Sequence, residues 1–229
     1  MNGKHQYLLF GFGILFALLC SPICNGQVAS KETSESQTTP APGDVNLDFS
    51  RVYIFVDKSG LVGHEHAVEG RLKAGSLFTQ QPRSGTLVFD MTTFDADSDN
   101  ARKALRLSGT TDAATRSKVN ENMLGAEILN IKKYPEAKLE NAVLTPTGKT
   151  TARRLPEYQL EGDFTLHSTR RHVIIPCDVE EKNGWHHVRG SFKILQSDYG
   201  IKPFSKMLGA VGVKDELVIT GDLWVAPAP

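Results

Sequence analysis

The sequence predicts a mainly β, antiparallel domain with one inserted α-helix, and three observations support this. Apolar and polar residues alternate with a period of two over several short segments, as in strands with one buried and one solvated face. Residues typical of turns, such as Lys182-Asn183-Gly184, separate these segments. Only residues 112–129 carry apolar residues at helical spacing. Many short strands joined by turns are typical of a sandwich or a barrel.

About eight segments carry the strand pattern. The clearest is 158–166, where Tyr158, Leu160, Phe164 and Leu166 alternate with mostly polar residues. The predicted strands are residues 51–56, 64–73, 86–91, 137–144, 158–166, 172–179, 185–195 and 216–225. The helix is predicted between the third and fourth strands, because Thr111 or Asp112 can cap its start and Pro135 begins the strand that follows it.

The N-terminal segment differs from the rest of the chain. Residues 7–19 are almost wholly apolar, and small residues precede a plausible cleavage site after Gly26. This apolar run is shorter than the roughly 20 residues of a spanning helix, which favours a cleaved signal peptide over a retained membrane anchor. We therefore predict a signal peptide at 1–26, a flexible Ser/Thr/Pro-rich linker at 27–44, and a β domain at 45–226. The mature protein is predicted to be periplasmic or secreted, with no stable membrane span.

Composition excludes some classes of partner. The 229 residues contain 26 Lys and Arg against 26 Asp and Glu, so no basic surface for nucleic acid is indicated. Cleavage after Gly26 would leave Cys177 as the single thiol, without an internal disulfide partner. Because Cys177 lies in an apolar run, we predict that it is a small buried core residue. No cofactor motif is present, and the sequence does not indicate an oligomeric state.

Strand alternation also selects candidate ligand-binding residues. An eight-stranded barrel has an interior that either fills with side chains or holds one small ligand. Alternation by itself leaves both outcomes open, because every β domain has a buried apolar face. The candidates for a cavity-facing role are Val68, Leu72, Leu87, Phe89, Leu160, Phe164, Leu217 and Ile219.

Several short motifs occur in one order along residues 47–225. They are Ser59-Gly60-Leu61, Val68-Glu69-Gly70, Gly85-Thr86-Leu87-Val88-Phe89-Asp90, Asn122-Met123-Leu124, Lys133-Tyr134-Pro135-Glu136-Ala137, Leu160-Glu161-Gly162-Asp163-Phe164-Thr165-Leu166-His167 and Ser197-Asp198-Tyr199-Gly200-Ile201. In this order they resemble the YceI-like family of lipid- and polyisoprenoid-binding proteins. The sequence departs from the family pattern at Ser168, where a turn glycine is usual, and at His64-Glu65-His66, which enriches the second strand in histidine.

The resemblance implies an eight-stranded, lipocalin-like antiparallel barrel with one inserted helix and an apolar tunnel. It also implies bacterial export and no catalysis, which agrees with the absence of a nucleophile elbow or a phosphate-binding glycine motif. On this basis the protein is predicted to sequester or carry an apolar chain, such as an isoprenoid, a prenylquinone or a fatty-acid-like lipid. A filled barrel that acts as a structural or interaction module is one alternative.

A metal-binding barrel is the other alternative. His64 and His66 lie two residues apart in a predicted strand, so both side chains face the same side, an arrangement that metals use. His187, His167 or Glu65 are the candidates for a third ligand. Asp95, Asp97 and Asp99 lack the glycine and the twelfth-position glutamate of an EF-hand loop, so we predict a solvated acidic loop there.

Overall fold

The computed structural model describes residues 39–80 and 83–228. The predicted signal peptide and most of the predicted linker lie outside these residues. The strands are β1 Arg51–Lys58, β2 His66–Ser76, β3 Gly85–Ala96, β4 Glu136–Thr150, β5 Pro156–Leu166, β6 Thr169–Lys182, β7 Trp185–Leu195, β8 Ser205–Lys206 and β9 Val211–Val225. The helices are α1 Asp99–Ala104 and α2 Ala113–Leu124, and single 3-10 turns occur at Gln196–Tyr199 and Met207–Gly209.

The strands form one closed antiparallel barrel. Their order is β1-β2-β3-β4-β5-β6-β7-β9, and β1 pairs again with β9 to complete the ring. Val52, for example, lies opposite Gly70 on one side and Gly221 on the other. The two-residue strand β8 pairs only with the start of β9. The predicted eight-stranded antiparallel barrel is therefore confirmed.

The two ends of the barrel differ because of how the strands connect. The β2–β3, β4–β5 and β6–β7 connections lie together at one end, which we call the closed end. The β1–β2, β3–β4, β5–β6 and β7–β9 connections lie at the other, and the β3–β4 connection contains both α-helices. We call this the helix end. The functional residues described below concentrate there.

The inserted helix is shorter than predicted and has a companion. The side chain of Asp112 accepts hydrogen bonds from the backbone N–H groups of Ala114 and Thr115, as a helix N-cap does, but α2 stops at Leu124 instead of continuing to residue 129. The chain turns away at Gly125, where a Cβ atom would lie only 2.9 Å from the carbonyl oxygen of Glu121. Helix α1, capped by the Ser98 side chain, was not predicted because its six residues are too few for a periodic pattern.

The turn between β5 and β6 contains two residues in the left-handed region. His167 has φ 51° and Ser168 has φ 65°, and the pair Leu166–Thr169 closes the loop. Such two-residue turns favour glycine, because a Cβ in this conformation costs roughly 1–2 kcal/mol. We expect Ser168→Gly to raise the free energy of unfolding by about 0.5–1 kcal/mol after the entropy of glycine is subtracted. Urea denaturation of both proteins measures the change.

The β6–β7 turn provides the matched control. It has the favoured Asn-Gly pair, with Asn183 at φ 51° and Gly184 at φ 77°. A Cβ atom at Gly184 would meet nothing within 4 Å, so a substitution there acts through the backbone alone. Gly184→Ser should lower the free energy of unfolding by about 1 kcal/mol. If Ser168→Gly and Gly184→Ser change the free energy of unfolding in the same direction, the assignment of backbone strain to Ser168 would be contradicted.

Candidate functional site

A cavity of about 220 Å³ lies inside the barrel. Its wall is almost entirely aliphatic and aromatic, and all eight barrel strands contribute to it. Alternate residues of β9 show how the strand pattern builds this wall, since Leu217, Ile219, Gly221 and Leu223 all face inward. Helix α2 lies across the helix end and adds Val119 and Met123. The barrel is thus neither an empty tube nor completely filled.

The eight candidate residues fall into two groups. Five of them line the cavity: Val68, Phe89, Phe164, Leu217 and Ile219. They come from β2, β3, β5 and β9, which lie at different positions around the ring. Whether they contact a ligand stays a prediction.

The other three candidates are buried but do not line the cavity. Leu72, Leu87 and Leu160 are at most 5% exposed and belong to the packed core. Leu87 lies opposite Gly75, and Leu160 lies opposite Leu144, in the strand pairs that run toward the closed end. A role for these three residues in ligand binding stays a prediction. Alternation identifies the face on which a residue lies but not its depth along the barrel.

Some lining residues were not among the candidates. Val52, Ile54 and Val56 of β1 alternate with polar or half-exposed residues, and the same period of two would have identified them. Ile128 and Leu129 follow α2 in an irregular segment. Both fell within the predicted helix 112–129, whose spacing did not indicate that they reach the cavity. The helix end is consequently more apolar than the strands alone indicate.

Aromatic rings occupy part of the interior without closing it. Phe164 meets Phe192 and Tyr199 edge to face, with ring centroids 5.8 and 5.7 Å apart. Tyr199 is 2% exposed and belongs to the core. Trp224 lies on the outer face of the wall, where its ring stacks on His187 at 4.1 Å. These rings leave the central space open.

Three polar side chains reach the cavity wall: His66, Asn122 and Gln196. The Gln196 amide N–H donates to the carbonyl oxygen of Lys214. His66 Nδ1 is hydrogen-bonded to Asp97 Oδ2 at 2.7 Å. All three come from elements at the helix end, so any polar group of a ligand would meet a protein partner there rather than at the closed end.

Asp97 is buried, which corrects the prediction of a solvated acidic loop. Its side chain has no exposed surface, and Oδ1 accepts hydrogen bonds from the Ala67 backbone N–H at 3.1 Å and from Arg102 Nη1 at 3.0 Å. Arg102 is also buried, and its guanidinium donates to the carbonyl oxygens of Glu65, Ser108 and Gly109. The carboxylate and the guanidinium form a fully hydrogen-bonded ion pair under the helix end.

The surroundings of Asp97 hold it in its charged form. Burial by itself would raise the pKa of this carboxyl group, but hydrogen bonds from His66, from the Ala67 backbone and from Arg102 outweigh that effect. The pKa of Asp97 therefore lies well below its usual range. Beside it, the ring centroids of His64 and His66 are 4.6 Å apart.

Two of the candidates for a third metal ligand, His187 and His167, lie elsewhere. Glu65 is not among the residues whose ligand atoms come together with those of His64 and His66. His187 stacks on Trp224 at the outer wall, and its Nε2 lies 2.6 Å from Asp222 Oδ1. His167 occupies the β5–β6 turn and packs against Tyr134. The residue that completes a group with His64 and His66 is Asp97. Sequence spacing could not identify it, because the β2–β3 pairing brings it to His66.

Cys177 is a buried core residue. It is 4% exposed, its Sγ–H donates to the carbonyl oxygen of Ile175 at 3.1 Å, and burial raises the pKa of the thiol from its ordinary 9.0 to about 12. Near pH 8 the thiolate fraction should be about 1,000-fold lower than in the unfolded chain. Mass-spectrometric mapping of iodoacetamide labelling at Cys177, with and without urea, measures this. Rapid labelling of the folded protein would contradict it.

An exposed apolar rim lies at the helix end. Leu61 and Val62 of the β1–β2 loop and Met207 and Leu208 of the 3-10 turn after β8 are largely exposed. The two segments are neighbours, because Val62 forms a bridge with Val211. Clusters of exposed apolar side chains are typical of interaction sites. This rim borders the part of the barrel in which Phe204 and Val213 line the cavity.

No helix within residues 39–80 and 83–228 is long and apolar enough to span a bilayer.

Comparison with known sequences identifies relatives of the chain. A family model described as the YceI-like domain matches residues 44–224. A UPF0312 protein of Pseudomonas putida (strain W619) is 32% identical over 89 residues, which are 36% of this chain and 43% of that protein. A UPF0312 protein of Pseudomonas syringae pv. syringae (strain B728a) is 30% identical over 124 residues, 52% of this chain and 59% of that protein. The chain spans about half the length of the curated relatives it matches.

Two solved structures share the fold. Burkholderia cenocepacia BcnA superposes with a TM-score of 0.54 at 18% identity, covering 79% of this chain and 99% of that chain. A structure described as a polyisoprenoid binding domain from Saccharophagus degradans, implicated in plant cell wall breakdown, superposes with a TM-score of 0.52 at 10% identity. It covers 82% of this chain and 100% of that chain. At these identities the likeness concerns the barrel fold alone.

Proposed function

This chain belongs to the YceI-like family, and from that premise we propose that it is an exported protein that binds an apolar chain inside its barrel. The ligand class is an isoprenoid, a prenylquinone or a fatty-acid-like lipid. The single observation that carries the proposal is the apolar cavity itself, to which every barrel strand contributes. A polyisoprenoid binding domain is also the printed description of the Saccharophagus degradans structure with the same fold.

Burial energetics favour a long ligand. Each buried methylene contributes about 0.8 kcal/mol. Association costs an estimated 4–15 kcal/mol in lost freedom before any affinity appears, so about ten buried carbons are needed. Because the wall offers few polar partners, the affinity has to come from the chain and not from a headgroup. This excludes small polar metabolites as main ligands.

The size of the cavity bears on how such a chain is held. At about 220 Å³ it is smaller than the roughly 300–1,000 Å³ of typical ligand pockets. A long chain would therefore displace mobile side chains or extend past the helix end. The apolar rim of Leu61, Val62, Met207 and Leu208 supports the second route, since it continues the apolar surface outside the barrel. Entry at the helix end also agrees with the packed core near the closed end.

The proposed role is sequestration or carriage, without catalysis. The buried Cys177 thiol is protonated at neutral pH because burial raises its pKa to about 12, so it is a poor nucleophile. No serine lies beside a histidine base among the hydrogen bonds of the described residues. Export through the N-terminal signal would place the protein in the periplasm or outside the cell, where an apolar chain needs shielding from water.

Native mass spectrometry of the protein recovered from its producing cells, followed by solvent extraction, tests the proposal. We expect about one apolar molecule per chain, released by solvent and identified from the extract. Delipidated protein should rebind a prenol, a prenylquinone or a fatty-acid derivative. Protein that arrives empty and takes up none of these three classes would contradict the proposal.

A further inference from the structure

Three potential metal ligands converge beside the cavity. One ring nitrogen of His64, one ring nitrogen of His66 and a carboxylate oxygen of Asp97 all lie within 4.8 Å of one another. Asp97 Oδ2 is 2.7 Å from His66 Nδ1 and 3.4 Å from His64 Nε2. They come from the β1–β2 loop, the first residue of β2 and the residue after β3, so the barrel fold itself assembles them.

The spacing of these atoms suits a tetrahedral ion. With metal–ligand bonds of about 2.0–2.1 Å, neighbouring ligand atoms in such a site lie about 3.3 Å apart. The His64–Asp97 distance already has this value. At 3.4 Å it is longer than a good hydrogen bond, so the His64 ring points at the carboxylate without bonding well to it. The His66–Asp97 contact would have to open from 2.7 Å to the same value, and the two histidine ligand atoms lie within 4.8 Å of each other.

The carboxylate is held in place by its other oxygen. Asp97 Oδ1 accepts hydrogen bonds from Arg102 Nη1 and from the Ala67 backbone, which orients the carboxylate and leaves Oδ2 as the oxygen that can bind an ion. Ligating carboxylates are typically supported by such outer hydrogen bonds. The His64 side chain is 41% exposed, so solvent reaches this group and water can complete the coordination of an ion. A cluster meant only for internal hydrogen bonding would not need a second, half-exposed histidine.

We propose that His64, His66 and Asp97 bind one divalent transition-metal ion of the imidazole-preferring class, with Zn²⁺ as the representative. Two imidazole nitrogens and one monodentate carboxylate favour this class over Ca²⁺ or Mg²⁺, which require more oxygen ligands. Arg102 already balances the charge of Asp97, so the affinity is expected to be lower than at a three-histidine or cysteine site. The ion would join the β1–β2 loop to the end of β3, next to the cavity wall at His66.

Calorimetric titration of the full chain with Zn²⁺ tests this site. Cys20→Ser and Cys24→Ser are introduced first, so that no thiol pair near the N-terminus competes for the ion. We expect one saturable equivalent per chain. His64→Ala should weaken binding at least 10-fold, and it removes only a half-exposed ring, so the fold should be retained.

His172→Ala is the matched control. His172 is also exposed beside a carboxylate, with Nδ1 3.5 Å from Asp163 Oδ1, but within residues 39–80 and 83–228 no third ligand joins that pair. This variant should bind Zn²⁺ like the parent chain. Substitution with Co²⁺ should give the visible absorption of a four-coordinate ion in the parent and not in His64→Ala. Absence of a saturable equivalent, or equal affinity in the parent and in His64→Ala, would overturn the proposal.

Discussion

Gly221→Leu is expected to weaken binding of an apolar chain about 100-fold while the barrel stays folded. Gly221 faces the cavity from β9, and a Cβ atom there would meet nothing closer than the Leu223 Cγ at 4.0 Å. The four added carbons would take the place of about four ligand carbons at about 0.8 kcal/mol each, close to 3 kcal/mol in total. That energy corresponds to about two powers of ten in the dissociation constant. Titration with a fluorescent fatty acid measures the loss.

The folding of this variant can be checked separately. Glycine inside a strand packs nothing, so a leucine that fills empty apolar space should leave the melting temperature unchanged or raise it. Thr220→Leu is the matched control, because the preceding residue of β9 faces outward and its hydroxyl donates to Ser191 on the outer wall. It should bind like the parent. Undiminished binding by a folded Gly221→Leu protein would place the ligand outside the cavity.

Asp97→Ala is expected to lower the free energy of unfolding by about 3–5 kcal/mol. The substitution removes the carboxylate from a buried ion pair and leaves the Arg102 guanidinium with an uncompensated charge. It also leaves the Ala67 backbone N–H without its acceptor. Urea denaturation followed by tryptophan fluorescence measures the change.

Asp95→Ala provides the comparison two residues away. Asp95 pairs with Arg116 of α2, but both side chains are 38% exposed, so the pair is largely solvated. Asp95→Ala should lower the free energy of unfolding by about 1 kcal/mol or less. If Asp97→Ala and Asp95→Ala lower the free energy of unfolding equally, the buried Asp97–Arg102 pair would not stabilise the helix end more than a solvated pair does.

The contribution of Asp97 should also depend on pH. Because its folded pKa lies below that of the unfolded chain, its stabilising effect is complete above the ordinary aspartate pKa of about 3.9. It is lost as pH falls from there through the folded pKa. The difference in unfolding free energy between the parent and Asp97→Ala should therefore be on the order of 3–5 kcal/mol at pH 7 and shrink below about pH 4.

Period-two alternation located every barrel strand because each has one buried and one solvated face. It did not predict the correct end of a strand where both faces of that strand are exposed. β4 runs to Thr150, well beyond the predicted residue 144, and its last six residues are exposed on both faces. Hydrogen bonding to β5 extends the strand there, and the alternation of side chains does not record it.

The candidate site was harder to predict. The acidic run 95–99 looks solvated in sequence, and only the contacts of Asp97 with His66 and Arg102 show that one of its carboxylates is buried. Those partners are fixed by the β2–β3 pairing and by α1, which has no sequence signal of its own. Similarly, Leu87 and Phe89 lie on the same strand with the same pattern, but only Phe89 reaches the cavity.

Closure of the ring by the β1–β9 pair has a consequence for how the chain folds. The first and last strands of the barrel must pair with each other. The chain therefore has to bear the entropic cost of closing almost the whole domain into a loop before this final pairing stabilises it. Folding should accordingly be slow, in the millisecond-to-second range typical of such topologies. Until β9 docks, β1 and β7 each expose an open edge that can pair with another chain. Loss of β9 would therefore produce aggregation rather than a smaller stable barrel.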